Sequence, residues 1–74
     1  MVVTLTPNVK AVVRADPVMQ VVIEQLRKEP RPGYLHLFRS SPRSRFCALY
    51  VEPDGTRHET TALDLGNAIL AVLE

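Results

Sequence analysis

At Glu29-Pro30-Arg31-Pro32-Gly33 the hydrophobic pattern changes period, and that change constrains the fold more than any other feature of the chain. Before it, Met19, Val22, Ile23 and Leu26 fall at i, i+3, i+4 and i+7, the spacing of one helix face. After it, residues alternate in twos, with aromatic and β-branched types enriched. Proline cannot continue a helix and glycine breaks the pattern, so the segment is a boundary. A helix on one side and strands on the other imply an α+β protein.

The helix start is equally marked. Asp16 supplies an N-cap carboxylate, and Pro17 takes the first helical position, where a missing N–H is harmless. The helix should run to about Glu29, with Glu24 four residues before Lys28 on its polar side. Its weak point is the β-branched run Val21-Val22-Ile23. Beyond Gly33, strands are expected at about 34–39, 45–52 and 56–60. Glu52-Pro53-Asp54-Gly55 joins the last two, since proline presets φ and Asp-Gly tolerates tight conformations. A final helix is expected from near Thr61 to the chain end, with Asp64 in a capping-box variant and Leu65, Ala68, Ile69 and Val72 on one face. Val2 to Thr6 reads as a strand. The next segment stays open: Thr6-Pro7 suits the start of a short helix with Val9, Val12 and Val13 on one face, yet Val9, Ala11 and Val13 alternate equally well as a strand. The expected fold is a small antiparallel sheet of three to four strands packed by two helices, in the order β, undecided, α, β, β, β, α.

With 74 residues the chain makes one globular domain, 1–74, with a thin core, because a domain of this size buries only about 60% of its unfolded surface. Hydrophobic residues at 46% and charged ones at 23% exclude a disordered chain. Cys47 is the single cysteine, so no internal disulfide forms, which fits a reducing, cytoplasmic setting. The longest apolar run, Ala68 to Leu73, is too short to span a bilayer, and Met1 to Thr6 lacks a signal-peptide pattern.

Three surfaces qualify for contact. Strand parity puts Tyr34, His36 and Phe38 on one face, and Phe46 and Tyr50 share a face of the next strand; matched pairing would gather all four Phe and Tyr rings on one side. Such a face beside Arg39, Arg45 and Arg57 would make a stacking platform, although alternating aromatics are commoner in cores. The segment Arg39-Ser-Ser-Pro-Arg43-Ser-Arg45 is the most polar stretch, and its guanidinium forks and hydroxyls suit phosphate or carboxylate. It serves equally as a solvated loop that protects the sheet. On the last helix, Leu63 and Leu70 lie opposite the main apolar face, where a partner or a second copy of the chain would cover them.

Net charge is +1, yet Arg27, Lys28, Arg31, Arg39, Arg43 and Arg45 against Glu29 give residues 27–45 a charge of +5, while Arg57 against Glu52, Asp54, Glu59, Asp64 and Glu74 gives residues 46–74 a charge of −4. That bipolarity favours partner binding. His36, Cys47, His58 and Glu59 lack metal-ligand spacing, and there is no Gly-rich phosphate loop, nucleophile elbow or paired carboxylate, so no metal, cofactor or catalysis is expected. From Pro17 onward, the order helix, three strands, helix resembles double-stranded-RNA-binding domains, and its sheet-then-helix half is similar to arm-type domains of phage integrases. The RNA-binding family carries a lysine cluster at the start of its last helix, where this chain has Thr60, Thr61 and Asp64. The leading expectation is therefore a non-enzymatic protein-protein interaction module of adaptor or inhibitor type, and the alternative is nucleic-acid binding through the arginine loop and aromatic strands.

Overall fold

The computed structural model describes residues 1–74. Its elements are β1 (Val2–Leu5), α1 (Pro7–Arg14), α2 (Pro17–Lys28), β2 (Tyr34–Phe38), β3 (Phe46–Val51), β4 (Arg57–Ala62) and α3 (Leu65–Leu73). The α+β class is as expected, with two differences. The undecided segment is a helix, so three helices pack the sheet, and the sheet is mixed: its order is β1-β2-β3-β4, with β1 parallel to β2 and the other pairs antiparallel. The differences share a cause, because parallel neighbours need a long crossover, which α1 and α2 supply.

Val9 and Val13 are buried, Val12 is half-buried and Ala11 is exposed, which is the helical choice between the two patterns the segment permits. Thr6 Oγ1 donates to Asn8 Oδ1 at 2.8 Å, and Asn8 Nδ2 donates to the Arg39 carbonyl at 2.9 Å, tying the start of α1 to the exit of β2. Ala15 and Asp16 alone separate α1 from α2. The Asp16 carboxylate accepts from the N–H groups of Val18 and Met19 at 3.0 and 3.2 Å, the expected cap. Met19 and Ile23 are buried in the predicted stripe.

Gly33 is obligatory where α2 hands over to β2. Its φ is 102°, and a Cβ there would collide with the Val51 carbonyl oxygen. The neighbouring segment is held across the core: Tyr50 donates its hydroxyl to the Pro32 carbonyl at 2.8 Å, and the Arg31 guanidinium lies 5.0 Å from the Tyr50 ring centroid while donating to the Leu73 carbonyl at 3.0 Å. A cation at that helix end also complements the dipole of α3.

The β3–β4 hairpin closes as expected. Gly55 N donates to Glu52 O, Glu52 N to Thr56 O, each at 2.9 Å, and Thr56 N donates to Asp54 Oδ1 at 2.8 Å. That backbone N–H, aided by the Thr56 hydroxyl, holds the Asp54 carboxyl below the usual carboxylate range. The start of the last helix is corrected. Thr60, Thr61 and Ala62 continue β4 opposite Ala48, Cys47 and Phe46, and Asp64 is itself the N-cap, accepting from Asn67 N at 3.0 Å.

Fourteen buried residues form one cluster, and every strand residue in it lies on the same face of the sheet: Val3, Leu35, Leu37, Phe46, Ala48 and Tyr50. The helices cover that face, α1 and α2 over the β1–β2 half and α3 over the β3–β4 half. No helix is long and apolar enough to cross a membrane.

Candidate functional site

Register decides what the uncovered face presents. Tyr34, His36 and Phe38 stand opposite Val51, Leu49 and Cys47, whereas Leu35 and Leu37 stand opposite Tyr50 and Ala48. Directly opposed residues share a face, so the rings divide. Phe46 and Tyr50 enter the core at 9% and 2% exposure, while Tyr34 and Phe38 lie on the helix-free face. The gathering of all four rings on one side does not occur.

Continued through the sheet, the open face carries Val2 and Thr4 from β1, Tyr34, His36 and Phe38 from β2, Cys47, Leu49 and Val51 from β3, and Arg57, Glu59 and Thr61 from β4. Its middle is apolar or aromatic and its two outer strands are polar or mixed. The His36 and Phe38 rings stack with centroids 5.0 Å apart and planes at 23°. Thr4 Oγ1 lies 2.7 Å from His36 Nδ1, fixing the imidazole in that stack. Tyr34 makes no side-chain hydrogen bond and is 44% exposed, and Val2 is 63% exposed. Leu49, Val51 and Cys47 belong to this face and were not among the sequence candidates, because strand parity assigns them only after the pairing register is known.

The arginine loop has a more structural character than its composition suggests. The Arg39 guanidinium lies 4.6 Å from the Phe46 ring centroid and donates from Nη1 to the Pro42 carbonyl at 3.3 Å, while its Nε is buried without a partner. Ser44 Oγ meets Ser40 Oγ at 2.8 Å and Ser41 Oγ at 2.9 Å, so the three hydroxyls bond to one another. Arg43 and Arg45 are exposed and make no ion pair or side-chain hydrogen bond. Arg27 donates to the Val3 carbonyl at 3.2 Å. Arg27, Arg31 and Arg39 are thus engaged within the fold.

Arg57 does not join this loop. It pairs with Val51, at the far end of β3 from Phe46, and the six-residue strand sets the two ends about 17 Å apart. The loop bearing Arg39, Arg43 and Arg45 therefore stands at one end of the sheet and the Glu52–Asp54 turn at the other, but Arg31, beside Tyr50 and Leu73, shares the end of the turn, and Asp64, just past the Ala62–Phe46 pair, shares the end of the loop, so the two charge blocks of the sequence are mixed in space. His58, on the helix-covered side of β4, stacks on Tyr50 at 5.9 Å between centroids and holds Glu52 Oε2 at 3.1 Å. No three His, Cys, Asp or Glu side chains come together to hold a metal.

Leu63 and Leu70 are 77% and 55% exposed, but Leu63 falls in the bend before α3 rather than on the helix, so the two do not share a helix face; Val18 and Val21 on α2, an i, i+3 pair off the stripe used for the core, are exposed as well. The surface carries no pocket. Comparison with protein-family models, curated proteins and solved structures finds no match.

Proposed function

We propose that the chain is a non-enzymatic protein-binding module, of adaptor or inhibitor type, whose contact surface is the helix-free face of its sheet. The observation that carries this is the group of Val2, Tyr34, Phe38, Leu49 and Val51, spread over β1 to β3 on the face opposite the helices. An apolar and aromatic centre with a polar edge is the anatomy of a protein interface. The complementary partner is a protein that presents apolar side chains to this group and carboxylates to Arg43 and Arg45 at its end. One partly exposed thiol, Cys47, on the same face suits a reducing cytoplasm.

Nucleic-acid binding draws on the same face, through the His36–Phe38 stack and Tyr34 as base platforms. The cations speak for protein. A groove that tracks phosphates needs several free positive charges, whereas Arg27, Arg31 and Arg39 are held internally and the open face carries Arg57 together with the opposite charge of Glu59 two residues on.

The test is a pull-down from the host with wild type, Phe38→Ser and Lys10→Ala, run beside a titration with labelled single- and double-stranded RNA and DNA at two salt concentrations. A protein partner retained by wild type and by Lys10→Ala, and lost with Phe38→Ser, is the expected result. No such partner, together with oligonucleotide binding that weakens as salt rises, would overturn the proposal in favour of nucleic acid.

A further inference from the structure

The two edges of the sheet are finished differently. Along β1, Arg27 donates to the Val3 carbonyl, and the N-terminal ammonium bonds the carbonyls of Arg27 and Glu29, so the end of α2 closes that edge. Along β4 nothing does so. The bond from Glu52 N to Thr56 O turns the backbone of even-numbered residues toward β3, which leaves the N–H and C=O groups of Arg57, Glu59 and Thr61 directed outward. The strand is six residues long, its register with β3 is unbroken, and it holds no proline. Such an edge is a pairing template unless it is guarded.

Its only charges are Arg57 and Glu59, two residues apart and of opposite sign. Charges guard an edge against a copy of itself only where like meets like. Suppose two β4 strands pair antiparallel about a two-fold axis, with the outward residues forming the hydrogen-bonded pairs. A register centred on residue 57 sets Arg57 against Arg57, and one centred on 59 sets Glu59 against Glu59. One centred on 60 sets Glu59 against Thr61 and gains nothing from charge. A register centred on His58 sets each Arg57 against Glu59 of the second copy, twice, and on the other face sets each Thr60 against Thr56. Opposite charges and threonines in direct opposition both favour a strand pair.

We propose that a second copy of this chain docks on β4 in the His58-centred register, joining two four-stranded sheets into one of eight strands and setting the two helix-free faces side by side. Pairing runs through the backbone edge of β4, with Arg57 and Glu59 at the margin of the open face, whereas partner binding is proposed through Tyr34, Phe38, Leu49 and Val51 at its middle, so either can fail without the other.

The experiment is sedimentation velocity of the full chain over a concentration series reaching about 1 mM, the weak end of specific association. Wild type is expected to approach twice its 8.3 kDa mass. Arg57→Glu and Glu59→Arg alone should each raise the dimer Kd by about tenfold or more, and the double swap should return it to within about threefold of wild type. Both sites are exposed, and circular dichroism checks each variant's fold. As an independent register test, His58→Cys in a Cys47→Ser background should oxidise to a covalent dimer, since opposed non-hydrogen-bonded residues lie about 4.5 Å apart at Cα; Glu59→Cys, displaced from its own copy along the strands, should not. A wild type that stays monomeric throughout overturns the proposal, as do a double swap that stays weak, a dimer that responds to Leu70→Ala but not to the charge variants, or a His58→Cys variant that oxidises no faster than Glu59→Cys.

Discussion

The two faces of this sheet are made from the same strands and are both rich in apolar side chains, yet only one is covered. On the helix side Leu35, Leu37 and Ala48 have no exposure and Tyr50 has 2%; on the other, Tyr34 is 44% exposed and His36, Phe38, Leu49 and Val51 are half-buried. Soluble antiparallel sheets commonly turn an apolar face to the core and a polar face to water. Here the water-facing side keeps aromatic and aliphatic residues in its central strands, and polar residues gather on β4. The difference separates two duties: one face holds the fold together, and the other is free to be read by a partner.

The comparison is broken most directly by truncating one leucine on each face. Leu37→Ala should lower stability by about 2–5 kcal/mol, enough to threaten a domain of this size, whereas Leu49→Ala, directly across from His36, should cost under about 1 kcal/mol. Urea denaturation measures both, and equal costs would mean that the faces do not differ as described. The tyrosines sharpen the contrast at smaller scale. Tyr50→Phe removes the hydroxyl that donates to the Pro32 carbonyl and should cost about 0.5–1.5 kcal/mol, while Tyr34→Phe, which removes no side-chain hydrogen bond, should leave the urea midpoint nearly unchanged.

The smallest effect lies in the turn where both faces end. The carboxyl of Asp54 has a lowered folded-state pKa because Thr56 donates to its ionised form, so its contribution to stability is present above the ordinary aspartate range and is lost as pH falls through the lower folded value. An acid titration of stability should therefore lose a small component in Asp54→Asn, and no change near neutral pH should depend on Asp54 ionisation. A component that vanished at neutral pH instead would contradict the assignment.

Features carried by neighbouring residues were legible in the sequence. Asp16-Pro17 starts a helix through two backbone bonds within its own first turn, and Glu52 to Gly55 makes a hairpin from its own turn chemistry. The start of α3 was misplaced by three to four residues because Thr61 and Asp64 both qualify as caps; pairing of Thr61 with Cys47 decides between them, and that is a distant contact. The helix α1 stayed open because Val9 and Val13 satisfy both periods, leaving Val12 and Ala11 to settle it through packing. The candidate surface was hardest. Whether Tyr34, His36 and Phe38 share a face with Phe46 and Tyr50 depends on the parity of the β2–β3 register, and a slip of one residue exchanges the faces. The Phe38–Cys47 pairing that sets this parity is closed by the loop of Arg39 to Arg45, held by its serines and by Arg39 on Phe46. Composition marked that loop as a phosphate or carboxylate grip, whereas Arg39 and the serines bond inward and Arg43 and Arg45 alone remain free.

The Tyr34, His36 and Phe38 face lies open in the folded protein, and Cys47, paired with Phe38 on that face and the only thiol of the chain, reports on it. The direct measurement is the rate at which an aromatic disulfide reagent labels Cys47 as urea is raised below the unfolding transition. Labelling of the folded protein in a single phase, at a rate nearly independent of urea, is the expected result. A rate that rises with urea as steeply as global unfolding would mean that the thiol is reached only through the unfolded chain, and would contradict an open face.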